Sequence, residues 1–249
     1  WLSVSRKTDS DSEIAALREA AKSVVRDHFG YGDTIPMKSA GNFGEGAKFE
    51  KVGGELKWTT RTQAIINDWD EEGRCVGWIN LTLRGSSGIG QLSLEKSVSL
   101  ISSLRDLGFD VCRRIDLTLD LYDDWDLSIF EMRDRLEEGS WRIPRRDAKC
   151  YRFFGAVVQS KTGPTPATLY LSAKTSENQV TVYDKGAQLE QERAWLRFEL
   201  RSMRDHSQSV FQLLLEAVDS AQETGNALLY LDKFVTSVVK DSADIRDVQ

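Results

Sequence analysis

The chain has 249 residues, 40% of them hydrophobic and 29% charged, with a net charge of −6, two histidines and three cysteines. That balance suits a globular chain long enough to bury a substantial core, and no stretch approaches the roughly 18 uninterrupted apolar residues that a membrane helix needs. A soluble protein with no membrane partner is therefore expected. Cys75, Cys112 and Cys150 lie far apart without a CxxC, which argues against a disulfide framework or a thiolate zinc site. His28 and His206 form no H-x-H or HExxH motif, so any metal would be held mostly by oxygen. The chain opens on Trp1 without a basic-then-apolar leader, and a fragment of a longer protein in a reducing, cytoplasmic setting is expected.

Taken in chain order, Asp9 to Phe29 carries capping residues followed by Ile14, Leu17, Ala21, Val24 and Val25 at helical spacing, which predicts an amphipathic helix. From Ala40 to about Asn67 sparse, alternating apolar positions punctuated by glycine predict antiparallel hairpins. VGWINLTLR (76–84) reads as a strand, Leu94 to Leu107 as a second helix, and RRIDLTLDLY (113–122) as a strand with Ile115, Leu117, Leu119 and Leu121 on one face and Asp116, Thr118 and Asp120 on the other. A helix is expected over 126–138, capped at Asp126. Strands follow at 151–158, 167–173 and 179–185, then WLRFELRS (195–202) with Arg197, Glu199 and Arg201 on its polar face, then helices over 210–218 and 226–240. Hairpin-length connections favour an α+β fold with an antiparallel β-sheet core flanked by helices over a doubly wound parallel sheet, and the strand patterns suggest two halves, 1–108 and 109–249, or one continuous domain. No GxGxxG or P-loop marks a nucleotide site.

The charged strand faces are where chemistry would sit. Asp116 and Asp120 are about 13 Å apart at about 3.3 Å per strand residue, too far for one simple clamp unless Glu199 on a neighbouring strand contributes; three carboxylates would suit Mg²⁺ or Mn²⁺. The plainer reading is a solvated sheet face whose acids pair with Arg114, Arg197 and Arg201. Tyr183 and Lys185 share a face if their strand persists through both. A tyrosine with a pKa of about 10 is only about 0.1% ionised at pH 7, a deficit of roughly 4 kcal/mol for a nucleophile, so it would need help from a cation; most strand tyrosines simply pack. Residues 142–152, RIPRRDAKCYR, gather Arg142, Arg145, Arg146, Lys149 and Arg152, a solvated loop on the plainer reading and a local anion-binding cluster on the other. The overall negative charge opposes wholesale non-specific nucleic-acid binding.

RIDLTLDLYDD, ATLYLSAKTSENQVTVYDKGAQLE and WLRFELRS, in that order, resemble the Rep_trans replication-initiation-factor family of plasmid rolling-circle initiators, relaxases of small integrative elements and filamentous-phage replication proteins. The family pattern is an R-x-D-x-x-x-D strand, a "tLYlGsr-S … vrvYdKg-E" hairpin and an "lRfElr" strand. GWINLTLRGSSGIG and the opening WLSVS are similar to its earlier segments, whereas Leu171-Ser172-Ala173-Lys174 departs from "lGsr" by losing the glycine. The resemblance implies an HUH-endonuclease-like fold without the HUH histidines and a metal-dependent nickase. Tyr183 would attack the scissile phosphate at an origin, keep the 5′ phosphate and leave a 3′ hydroxyl primer, with Tyr170 and then Tyr122 as competing nucleophiles. Asp116, Asp120 and Glu199 would hold Mg²⁺ or Mn²⁺, Lys185 and Arg197 would hold phosphate, and Asp184 would face away. Arg197, Arg201, Arg142, Arg145, Arg146, Lys149 and Arg152 would contact DNA, single-stranded or supercoiled, with a host helicase and a homodimer as further expected partners. A non-catalytic, sequence-specific DNA-binding regulator of the same fold is the alternative, and a water-using phosphohydrolase a third reading.

Overall fold

The computed structural model describes residues 1–8, 10–30, 33–37, 45–58, 77–85, 87–122, 128–142, 151–154, 159–160, 163–164, 167–172, 176–190, 194–226 and 246–247. The chain divides into two compact units, 1–115 with 207–234 and 116–206 with 235–249. Every strand pairing with a defined register is antiparallel, as the short connections predict.

The first unit runs β1 (Leu2–Thr8), α1 (Asp11–Phe29), β2 (Thr34–Pro36), β3 (Glu45–Phe49), β4 (Gly54–Trp58), β5 (Gly77–Leu83), α2 (Leu94–Asp106) and the start of β6 (Val111–Tyr122). Its strand order is β2-β3-β4-β5-β1-β6. The helix boundaries follow from capping. Ser10 accepts the Glu13 N–H at 3.2 Å to start α1, and Gly30 at φ 75° ends it by donating to Arg26, a left-handed conformation that glycine adopts without a Cβ penalty. Ile14, Leu17, Ala21 and Val25 are buried, the stripe that the sequence periodicity marks.

The second unit contains the rest of β6, α3 (Ile129–Glu137), β7 (Trp141–Arg142), β8 (Arg152–Phe154), β9 (Gln159–Ser160), β10 (Gly163–Pro164), β11 (Thr168–Tyr170), β12 (Asn178–Asp184), the single-turn α4 (Lys185–Gln188), β13 (Trp195–Met203) and β14 (Arg246–Asp247). The strand order is β6-β13-β12-β11-β8, with separate pairs β9-β10 and β7-β14. Helix α5 (Arg204–Thr224) begins in this unit and belongs to the first from Ser207 onward.

One face of this sheet is apolar. Leu169, Leu171, Val182 and Leu196 are buried against Ile129, Met132 and Leu136 of α3, with Leu121, Phe153, Val180 and Phe198 packed around them. Alternation then sends their sequence neighbours to the other face. Leu169 is fully buried under that face, so Leu169→Ala should destabilise the protein by about 2–5 kcal/mol, read as a lower midpoint in chemical denaturation.

Several sequence expectations need correction. Helix α3 is capped by Ser128 rather than Asp126: Ser128 Oγ accepts from Glu131 N and Glu131 returns a bond to Ser128 N, a capping box. Strand β12 ends at Asp184, whose carboxylate accepts the Ala187 N–H at 2.9 Å and opens α4. Lys185 is therefore helical and shares no strand face with Tyr183. Leu119 is 52% exposed, so the apolar row of β6 is not uniformly covered. The expected helix over 226–240 lies outside the described residues, apart from Asn226.

Candidate active site

The polar face of the second unit is organised by strand register. Tyr183 of β12 sits directly opposite Arg197 of β13, Thr181 opposite Glu199 and Gln179 opposite Arg201. Directly opposed residues in an antiparallel pair project to the same side, which brings Tyr183, Arg197, Glu199 and Arg201 together. On the far side of β13, Arg197 grips Asp120 of β6 with two parallel bonds, Nε to Oδ1 and a terminal nitrogen to Oδ2, each 2.6 Å. Four residues along each strand, Arg201 Nε lies 3.6 Å from Asp116 Oδ2, and a terminal nitrogen of Arg201 donates to Glu199 Oε1 at 3.0 Å. The acids thus pair with Arg197 and Arg201, as the plainer sequence reading holds. Arg114 lies with its guanidinium 4.4 Å from the Trp1 ring.

Tyr183 donates its phenol proton toward Glu199 Oε2 at 3.4 Å, longer than the usual 2.7–2.8 Å of an O–H···O bond. Burial, followed by the Glu199 carboxylate, pushes the Tyr183 pKa up, against the opposing pull of Arg197. Burial also pulls the Asp120 pKa upward, but the hydrogen bonds and charge of Arg197 outweigh it and hold the carboxyl below its ordinary value. The same pair pushes Arg197 up. Lys185 is shifted down by burial and by the Arg197 charge. Its ammonium lies 5.9 Å from the centroid of the Tyr183 ring and donates to Gln188 Oε1 at 2.7 Å. The lysine thus reaches the tyrosine from the first turn of α4, and Asp184 acts as that turn's cap.

Among the described residues no three acidic, His or Cys side chains gather to hold a metal. Asp120 has both oxygens committed to Arg197, so the expected trio does not assemble. Asp116 and Glu199 do converge, on one guanidinium. Two carboxylates fit Mg²⁺ or Mn²⁺ when water and a substrate phosphate complete the shell.

Of the basic run, Arg152 is described: its guanidinium covers the Tyr170 ring at 5.0 Å. Arg145, Arg146 and Lys149 lie outside the described residues, and only the backbone of Arg142, paired with Arg246 between β7 and β14, is described. The sequence reading passed over Trp195. Its ring lies 5.1 Å from Tyr122 and 5.3 Å from the Arg197 guanidinium. The period of two in WLRFELRS already put Trp195 on the face of Arg197, Glu199 and Arg201.

A two-sided antiparallel sheet with a helix on one face and a tyrosine among carboxylates and guanidinia on the other defines an α+β protein. Its fold is similar to the solved structure of a rolling circle replication initiator protein from Geobacillus stearothermophilus, with a TM-score of 0.59 and 16% sequence identity over 100% of this chain and 85% of that one. Residues 111–242 match the model of the Rep_trans family, described as replication initiation factor, and the chain belongs to that replication initiation factor family. No curated protein matches it. No helix among the described residues is long and apolar enough to cross a membrane.

Proposed function

We infer that the protein nicks one DNA strand at a replication origin, with Tyr183 as nucleophile. The register carries this reading: it sets Tyr183 across from Arg197, beside a carboxylate that accepts its proton, inside the region matched by the initiator family. The Tyr183 oxygen bonds to the scissile phosphorus as the bond from phosphorus to the 3′ oxygen breaks. The phenol proton passes to Glu199, and the departing 3′ oxygen takes a proton to become the 3′ hydroxyl primer, while the 5′ phosphate stays on Tyr183. The two Glu199 oxygens already face different ways, Oε1 toward Arg201 and Oε2 toward Tyr183. Asp116 and Glu199 would hold Mg²⁺ or Mn²⁺, which when bound supplies Lewis acidity to a phosphate oxygen. Arg197 and Lys185 hold phosphate charge, and Arg201 turns to the strand once its carboxylates are otherwise engaged. The partner is origin DNA, single-stranded or supercoiled, in the cytoplasm, with a host helicase and a second copy of the chain as further partners.

Incubation of labelled single-stranded origin DNA with protein and Mg²⁺ or Mn²⁺ tests this on a denaturing gel. A protein band carrying the label is expected, and its absence under both ions would overturn the reading. The raised tyrosine pKa and the commitment of Arg197 to Asp120 favour one second reading, a sequence-specific DNA-binding regulator that does not cleave. It predicts tight origin binding and no adduct under any divalent ion.

A further inference from the structure

Beyond Tyr183 the same sheet face continues across β11 to β8, where its chemistry changes from acid–guanidinium pairs to aromatic rings and one cation. Tyr170 lies opposite both Thr181 and Arg152, and Thr168 lies opposite both Tyr183 and Phe154. Phe154 is 54% exposed, whereas its neighbour Phe153 packs into the core on the other face. The Phe154 ring meets Tyr170 edge-on at 5.7 Å, and the Arg152 guanidinium covers the Tyr170 ring at 5.0 Å. Arg197 and Arg201 are matched by carboxylates, but Arg152 makes no ion pair among the described residues.

We propose that Phe154, Arg152 and Tyr170 form a base-stacking subsite for single-stranded DNA on the Tyr183 side of the sheet. The proposal rests on the DNA reading of the Tyr183 site and adds how the strand is held. Exposed aromatic and guanidinium planes on a sheet accept unpaired bases by stacking, whereas a duplex hides those π-faces, and the guanidinium charge complements the phosphates. Two strand spacings separate Phe154 from Tyr183, about 10 Å between backbones, so the stacked bases are close neighbours of the scissile phosphate. Thr168 between them is small enough to leave the path open. Stacking tolerates any base, so this subsite grips the strand and leaves sequence reading to other contacts.

The test uses full-length protein carrying Tyr183→Phe, so that binding is read without cleavage, and fluorescence anisotropy of a labelled single-stranded origin oligonucleotide at low salt. Adding Phe154→Ala should weaken binding about 5- to 150-fold, the usual range for one stacked base, while Phe154→Trp retains it and binding of the matching duplex is unchanged. An abasic site at the stacked position should weaken the parent to the same extent and leave Phe154→Ala unaffected. Parent-like single-strand affinity in Phe154→Ala would sink the subsite, as would an equal loss on duplex or no single-strand binding at all. A melting curve separates misfolding from lost stacking, and Phe154 is exposed enough for the fold to survive its truncation. The gel assay for the covalent adduct is independent: an adduct with no effect of Phe154→Ala removes only the subsite, and a stacking loss with no adduct removes only the nicking.

Discussion

Tyr183→Phe is expected to eliminate the covalent protein–DNA band while leaving the fold intact. The substitution removes one oxygen and keeps the ring. The bond lost is the long 3.4 Å contact to Glu199, so the change in stability should be no more than about 1 kcal/mol. Chemistry, in contrast, loses the oxygen proposed to bond to phosphorus, and nicking should fall by several orders of magnitude. Tyr170→Phe is the informative companion, because its ring is engaged by Arg152 and Phe154 rather than by carboxylates; it should keep the adduct. An undiminished band in Tyr183→Phe would move the nucleophile to Tyr170 or Tyr122.

Arg197→Met should be the most damaging single change to the polar face, because it strikes stability and the proposed phosphate binding together. The side chains of Arg197 and Asp120 are 17% and 23% exposed. Removing the guanidinium strands a mostly buried carboxylate, a loss of about 2–3 kcal/mol for a pair with this much residual solvent contact. The pH dependence has a definite sign. Asp120 has a folded pKa below its unfolded value of about 3.9. Its contribution is therefore complete above that value and disappears as pH falls through the lower folded one. The stability gap between parent and Arg197→Met should accordingly be widest near neutrality and close below about pH 4. Denaturation midpoints across that range measure it, and a gap that grows in acid would contradict the pairing. Asp120→Leu added to Arg197→Met should recover much of the loss, since the stranded charge is then gone.

Much of this site was legible in single strands. The alternation in RRIDLTLDLY and WLRFELRS assigned Asp116, Asp120, Arg197, Glu199 and Arg201 to polar faces, and the structure keeps them there. What periodicity cannot fix is register between strands. Whether Arg197 meets Asp120 or Asp116 depends on a slide of β6 against β13, and the observed register places Asp120, one of the three expected acids, in the bidentate grip of Arg197. Lys185 was misassigned because local side-chain chemistry overrode strand propensity, with Asp184 capping a helical turn. The Ser128–Glu131 capping box was readable as S-x-x-E but lost to the neighbouring aspartate. The base-stacking edge was obscure for a different reason. Phe153 and Phe154 look alike in sequence, and only the partner strand decides which ring is buried.

Strand β13 interleaves two kinds of information, with Leu196 and Phe198 packed in the core and Arg197, Glu199 and Arg201 on the site. A one-residue insertion or deletion inside it would exchange the two sets wholesale, turning guanidinia into the core and leucines toward DNA. Point substitutions here can be graded, but length changes cannot. Among homologues, β13 should therefore vary in side chain and never in residue count, while insertions accumulate in the connections on either side of it.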